Sequence, residues 1–288
     1  MTWREILDKS AAFMDAKGVP DARVAAEFLA ARLLGGGRGA LAARLGEEPS
    51  ERFAEAMRRG LRRLAAGEPL QYVIGEWDFR RLTLGCDRRA LIPRPETEGL
   101  VSLVLAHLRS SASREAPGPF VVDVGTGTGA IILSIADEYE GPAVLLGTDV
   151  SGDAVALAGE NARRCGLDGK VKFACTDGLD DFDEPGMVDV IVSNPPYVTS
   201  AECDALDPRI RNFEPRLALD GGADGLDFYE RYLGDALNVL KPGGAVFFEI
   251  GDAQGEAVRE KMSLYGFTGI SIGRDLAGRD RYASATLP

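Results

Sequence analysis

The stretch VVDVGTGTGAIILSIADEY, residues 121–139, decides how the rest of the chain is read. An apolar run ends in three glycines, Gly125, Gly127 and Gly129, and an apolar helical segment follows. Glycines at such a strand-to-helix turn let the backbone bend tightly and approach a ligand closely. A dinucleotide fingerprint wants G-x-G-x-x-G, and here the third glycine comes one residue early. The next apolar run, LLGTDV, ends at Asp149, 20 residues after Gly129. A carboxylate there is placed to accept both hydroxyls of a ribose. Alone it reads equally as the N-cap of a helix over 151–165. Together with the glycine turn, a ribose-bearing ligand is the better reading.

Outward from this unit, strand-like and helix-like segments alternate from residue 120 to the end. Apolar runs over 120–125, 143–150, 170–177, 188–194, 243–251, 267–273 and 280–287 give seven strands. The segments between them carry helical periodicity, except over 178–187 and before the last strand. The alternation implies an α/β fold with a mostly parallel sheet and helices on both faces. Asp177 ends the third run, where it either accepts from an adenine amino group or caps a turn. Asn194 ends the fourth. Both lie at carboxyl ends of strands, where open α/β sheets bind ligands. No phosphate-binding lysine motif or nicotinamide signature is present, so a nucleoside ligand such as S-adenosylmethionine fits best.

Residues 3–66 read as short helices, broken by glycines at 35–37. ERFAEAMRRGLRRLAAG, residues 51–67, is amphipathic with Arg58, Arg59, Arg62 and Arg63 on one face. LQYVIGEWDFRRLTLGC, residues 70–86, has β-rich runs at 70–74 and 82–85 and reads as a hairpin joining two domains. SSASREAPGP, residues 110–119, reads as a loop. The domain expectation is a helical domain over 1–68, a β-hairpin linker over 69–90 and a catalytic domain over 91–288.

Composition narrows the function. The 288 residues are 45% hydrophobic and 27% charged, an ordinary globular balance. No apolar stretch is long enough to cross a bilayer, and the N-terminus lacks the apolar core of a signal peptide, so the expected location is cytoplasmic. Cys86, Cys165, Cys175 and Cys203 show no metal-ligand spacing, and His107 is the single histidine, on a helical segment. No metal is expected, and histidine general-base chemistry is nearly excluded. Residues 1–75 carry 12 Lys and Arg against 10 Asp and Glu; the remainder carries 21 against 35. So acidic a catalytic region would be repelled by a phosphate backbone, which argues against a nucleic-acid substrate.

VDVIVSNPPYVTS, residues 188–200, places Asn194-Pro195-Pro196-Tyr197 at the end of an apolar run. Two prolines make that segment stiff and extended and leave the carbonyls at 194 and 195 exposed to a ligand. It resembles the (N/D)PP(Y/F) motif of class I S-adenosylmethionine-dependent amino-methyltransferases. Within them the chain is most similar to the release factor glutamine methyltransferases, the PrmC/HemK family. LIPRPETE at 91–98, DVGTGTGAI at 123–131, IVSNPPY at 191–197, EPRLALDGGADGL at 214–226, FFEIGDAQG at 247–255 and DLAGRDRY at 275–282 carry the likeness across nearly the whole chain.

The resemblance implies a Rossmann-like class I methyltransferase fold, with a small N-terminal helical domain joined by a β-hairpin. It implies N5-methylation of the glutamine in the Gly-Gly-Gln motif of class-1 peptide chain release factors, with S-adenosylmethionine as cofactor and no membrane partner. A monomer is expected. The alternatives are a ribosomal-protein glutamine methyltransferase and a DNA adenine-N6 methyltransferase. Cofactor contacts are expected from Gly125, Thr126, Gly127, Thr128, Gly129, Asp149, Asp177, Gly178 and Asn194. Catalytic and substrate contacts are expected from Asn194, Pro195, Pro196 and Tyr197, the tyrosine ring packing on the substrate amide. Gly178 departs from relatives that carry an aromatic there. Arg94 and Glu96 stay open between cofactor-side packing and interdomain anchoring, and Glu214 between ordering its loop and meeting the protein substrate.

Overall fold

The computed structural model describes residues 1–111, 117–182 and 184–288. The chain divides into two compact units: residues 1–76 with 207–213, and residues 77–206 with 214–288.

The first unit is helical. It contains α1 (Trp3–Asp15), α2 (Ala22–Leu33), α3 (Arg38–Ala43), α4 (Glu51–Ala65) and α5 (Leu70–Ile74). Thr2 and Glu5 form a capping box at the start of α1, satisfying backbone donors that would otherwise lack partners. Trp3, Leu7, Met14, Leu29, Met57 and Leu64 are buried in its own core. Residues 70–74, read as a β-run, are the helix α5. Three physical facts override their strand propensity. Pro69 starts the turn, Gly75 ends it with φ 81°, and Tyr72 is buried while Leu70 and Val73 pack on the helical core. Arg63 also takes the carbonyls of Tyr72 and Val73 while its guanidinium pairs with Glu68.

The hairpin therefore begins later, as β1 (Glu76–Phe79) and β2 (Leu82–Gly85). Its turn holds Arg80 at φ 52°, unusual for a residue with a side chain. Arg80 is pinned there by Glu138, by the Glu98 carbonyl and by Ser102.

The second unit continues with α6 (Thr97–Ser111), β3 (Phe120–Val124), α7 (Ala130–Glu138), β4 (Val144–Asp149), α8 (Gly152–Arg164), β5 (Val171–Cys175) and β6 (Val188–Ser193). Then come α9 (Ser200–Ala205), and α10 (Pro208–Arg211), which belongs to the helical unit. A 3₁₀ turn at Arg216–Ala218 follows, then α11 (Asp227–Val239), β7 (Leu240–Glu249), α12 (Gly255–Leu264), β8 (Thr268–Arg274) and β9 (Asp280–Thr286). The stretch read as a loop over 110–119 is helical at 110 and 111, and 112–116 lie outside the described residues.

The sheet has seven strands in the order β5-β4-β3-β6-β7-β9-β8, parallel except for β9, which runs antiparallel to both neighbours. Successive side chains on the central strands serve opposite faces. Val121, Val190, Val192 and Phe247 pack toward α6 and α7, whereas Val122, Ile191, Val246 and Phe248 pack toward α11 and α12. Burial on both faces explains why these strands read as continuous apolar runs rather than alternating ones. Strand order reverses between β3 and β6, and a crevice opens at their carboxyl ends. The hairpin is tied to that end by Asn161, which is buried on α8. Its Oδ1 accepts from Gly85 N–H, and its Nδ2 donates to the carbonyls of Gly85 and Thr128.

Candidate active site

At the end of β3 the chain passes through Gly125, Gly127 and Gly129 with φ of 73°, 55° and 82°. Three positive φ values in five residues are accessible at low cost only to glycine. The turn is held on every side. Thr126 N–H donates to the Thr148 carbonyl (2.8 Å), its hydroxyl donates to Asp123 Oδ2 (2.6 Å), and Gly127 N–H donates to Asp149 Oδ2 (2.9 Å). Asp149 Oδ1 accepts from Ser151 N–H (2.9 Å). Burial pushes the Asp149 carboxyl above its ordinary range, opposed by those two backbone N–H bonds. Each of its oxygens keeps a lone pair for a hydroxyl donor.

Gly125, Thr126, Gly127, Thr128, Asp149, Asp177, Gly178, Asn194 and Pro196 line one cleft, open to solvent. Gly129 does not line it; it is the N-cap of α7, where a Cβ would meet Leu133 at 2.9 Å. Pro195 is a buried residue between Asn194 and Pro196, which both line the cleft. Tyr197 lies on a neighbouring groove instead. Its hydroxyl reaches Glu249 Oε1 (3.4 Å) and its carbonyl accepts from Gln254 Nε2 (3.1 Å). Burial beside the Glu249 carboxylate pushes its phenol up to about 12.

Asp177 is ion-paired to Arg231 (2.7 Å), and the same guanidinium takes the Asp177 carbonyl (2.9 Å) and Asp180. Gly178 has φ 65°, and a Cβ there would sit 3.3 Å from the Tyr232 ring. A side chain at 178 is therefore strained and crowded. The aromatic wall of the cleft comes from α11, where Phe228 and Tyr232 pair with ring centroids 5.8 Å apart.

Several site residues had no role fixed by the sequence. Residues 89–94 form one wall of the cleft. That strap is anchored by Glu214, whose side chain is only 2% exposed. Glu214 accepts from Arg94 (2.6 Å) and from Ile92 N–H (3.3 Å), so Arg94 and Glu214 are partners within the catalytic unit. Glu96 offers its backbone carbonyl to the Tyr282 hydroxyl (2.7 Å). Behind Asn194, Nδ2 donates to Thr97 Oγ1 (3.2 Å) and the threonine hydroxyl donates to the buried Glu249 (2.6 Å). The visible hint was a charged residue, Glu249, closing the apolar run GGAVFFEIG.

Comparison with known proteins fits this geometry. The PrmC N-terminal domain family matches residues 5–75, and the Methyltransferase small domain family matches residues 101–223. A release factor glutamine methyltransferase of Moorella thermoacetica is 39% identical over 98% of this chain and 97% of its own length. This chain belongs to the release factor glutamine methyltransferase family. A relative of the same description from Deinococcus radiodurans is 37% identical over 99% of this chain and 98% of its own. The solved structure of a methyltransferase from Pyrococcus furiosus has a TM-score of 0.51 at 19% identity, covering 71% of this chain and 88% of that one, a likeness of fold. The chain is a methyltransferase, and its cofactor is S-adenosylmethionine. The cleft suits that group: a glycine turn whose backbone a ligand can approach closely, a buried carboxylate with spare lone pairs and an aromatic wall.

Asp123 yields a test of the turn's electrostatics. It is fully buried, and burial lifts its carboxyl to about 7 against the pull of the Thr126 hydroxyl and the Ile132 N–H. Between about pH 4 and pH 7 the folded chain keeps a proton that the unfolded chain has lost, so stability falls as pH rises, by about 1.4 kcal/mol per pH unit. Asp123→Asn keeps an acceptor for Thr126 and removes the titration. In urea denaturation, the stability of wild type relative to this variant should drop by about 2–3 kcal/mol from pH 5 to pH 7. Parallel pH profiles for the two proteins would contradict the assignment.

Proposed function

We propose that the chain methylates N5 of the glutamine in the Gly-Gly-Gln motif of class-1 peptide chain release factors. One observation supports this most directly. Among the described residues no group donates to Asn194 Oδ1 or to the Pro195 carbonyl, while Asn194 Nδ2 is already engaged. Two unclaimed acceptors beside one another at the end of β6 suit a planar –NH₂ with two protons to give. Relatives described as release factor glutamine methyltransferases match this chain from end to end.

An amide nitrogen is a poor nucleophile because its lone pair is delocalised into the carbonyl. Bound S-adenosylmethionine supplies an electrophilic methyl group. Gly125, Thr126, Gly127, Thr128 and Asp149 hold it at the glycine turn, with Gly129 setting the turn from behind. Asp177, Gly178, Phe228 and Tyr232 bound its adenine side. Asn194 Oδ1 and the Pro195 carbonyl accept both N–H bonds of the glutamine amide and orient its lone pair. As positive charge grows on the nitrogen, both acceptors favour it. Pro195 and Pro196 keep the acceptors stiff, and holding reactants in line supplies about 7–11 kcal/mol in favourable cases. The extra proton leaves to solvent. Tyr197 acts from behind, supporting the motif through Glu249 rather than stacking on the substrate.

Asn194→Ala should fold normally and lose about 100-fold or more in kcat, measured by labelled-methyl transfer to an unmethylated release factor. Retention of most of the turnover would refute the proposed role of the Asn194 side chain.

The helical unit docks the protein substrate in this reading, and the reaction takes place in the cytoplasm on a monomer. Arg58 and Arg59 are exposed and make only surface pairs with Glu51 and Glu55, which hold them weakly. Arg62 is exposed too, whereas Arg63 is committed to fixing α5. Charge reversal at Arg58 and Arg59 should raise KM for intact release factor and leave a short Gly-Gly-Gln peptide unaffected. Equal changes on both substrates would rule out docking by this face.

A further inference from the structure

We propose that Thr97 and Glu249 are positioning residues that fix which end of the Asn194 side-chain amide faces the cleft. The proposal rests on the glutamine-methylation reading, which requires the oxygen end to face the substrate. A flipped Asn194 would set its own –NH₂ against the substrate –NH₂, donor against donor.

A hydroxyl carries one proton. Thr97 gives its proton to Glu249 Oε2 at 2.6 Å, within the range of an O–H bond to an ionised carboxylate. Having donated, Thr97 Oγ1 can only accept, and the one end of Asn194 able to donate to it is Nδ2, at 3.2 Å. Oδ1 is thereby left for the cleft. Thr97 and Glu249 are 4% and 1% exposed, so bulk water does not compete for these bonds. An ionised carboxylate is acceptor-only, whereas a glutamine at 249 could offer Thr97 either end.

The polarity of this chain depends on the charge of Glu249. The groups facing it are Thr97 on α6, Arg281 and Tyr282 on β9, Tyr229 on α11, and Glu96 and Tyr197 on the flanking segments. Burial lifts its carboxyl to about 7; the Thr97 hydrogen bond and the Arg281 charge pull it down, and Glu96 pushes it up. Once protonated, Glu249 can donate to Thr97, freeing the threonine proton for Asn194 Oδ1 and favouring the flipped amide. Turnover should then fall as pH drops through about 7.

The experiment uses the full chain, labelled S-adenosylmethionine and unmethylated release factor, with cofactor Kd measured separately by calorimetry. Thr97→Val should lower kcat about 10–100-fold while KM for release factor and the cofactor Kd stay near wild type. Thr97→Ser should restore kcat. Glu249→Gln should flatten the pH dependence of kcat, and it decides the matter alone if Thr97→Val does not fold. Wild-type kcat in Thr97→Val, equal loss in Thr97→Ser, or an unchanged pH profile in Glu249→Gln would overturn the relay and leave the function standing. Absence of transfer to the glutamine by the wild-type chain would overturn the underlying reading, and the relay with it.

Discussion

Everything at the active site depends on the parallel pairing of β3 with β6, with Val121, Val122 and Asp123 opposite Val190, Ile191 and Val192. These strands are neighbours in space but far apart in sequence, and the chain leaves them in different directions. The glycine turn leaves one and Asn-Pro-Pro-Tyr leaves the other. The Ser193 hydroxyl donates to the Val124 carbonyl at 2.6 Å, fixing the two exits at one height. A crevice between them follows from topology, and the sheet's two buried faces hold its walls rigid. The cofactor's turn and the substrate's acceptors are thus set by the same backbone register.

Several polar groups organise the crevice. Asp149 organises the turn through Gly127 and Ser151, Asp123 through Thr126, and Asn161 through Thr128. Glu214 fixes the strap from the opposite side. Such preorganisation matters because an unreactive amide needs alignment more than it needs a base. Burial of Asp123 and Glu249 costs stability above neutral pH, a cost consistent with sites that trade stability for geometry.

The sheet was legible because each central strand is a run of Val, Ile, Leu and Phe bounded by glycine or a polar residue. Asp149, Asp177 and Asn194 were legible because each ends such a run. Helix α5 was missed because LQYVI has strand propensity, although Pro69 and Gly75 bracket it as helix punctuation does. The pairing of Thr97 with Glu249 was invisible in sequence for another reason. They are 152 positions apart, and their meaning lies in a hydrogen bond that only the folded sheet creates. Tyr197 was expected on the substrate side from its motif, but the pull of Glu249 and Gln254 on it also comes from distant segments. Gly178 looked like a loss, yet its positive φ and the nearby Tyr232 show a site where the aromatic surface comes from α11.

The most direct measurement is mass-spectrometric location of the methyl group after incubating the purified chain with labelled S-adenosylmethionine and an unmethylated release factor. A release factor carrying Gly-Gly-Ala in place of Gly-Gly-Gln is run beside it. One methyl group is expected on the glutamine and none on the Gly-Gly-Ala protein. Equal labelling of both proteins, or no labelling while S-adenosylmethionine still binds, would contradict the proposed function.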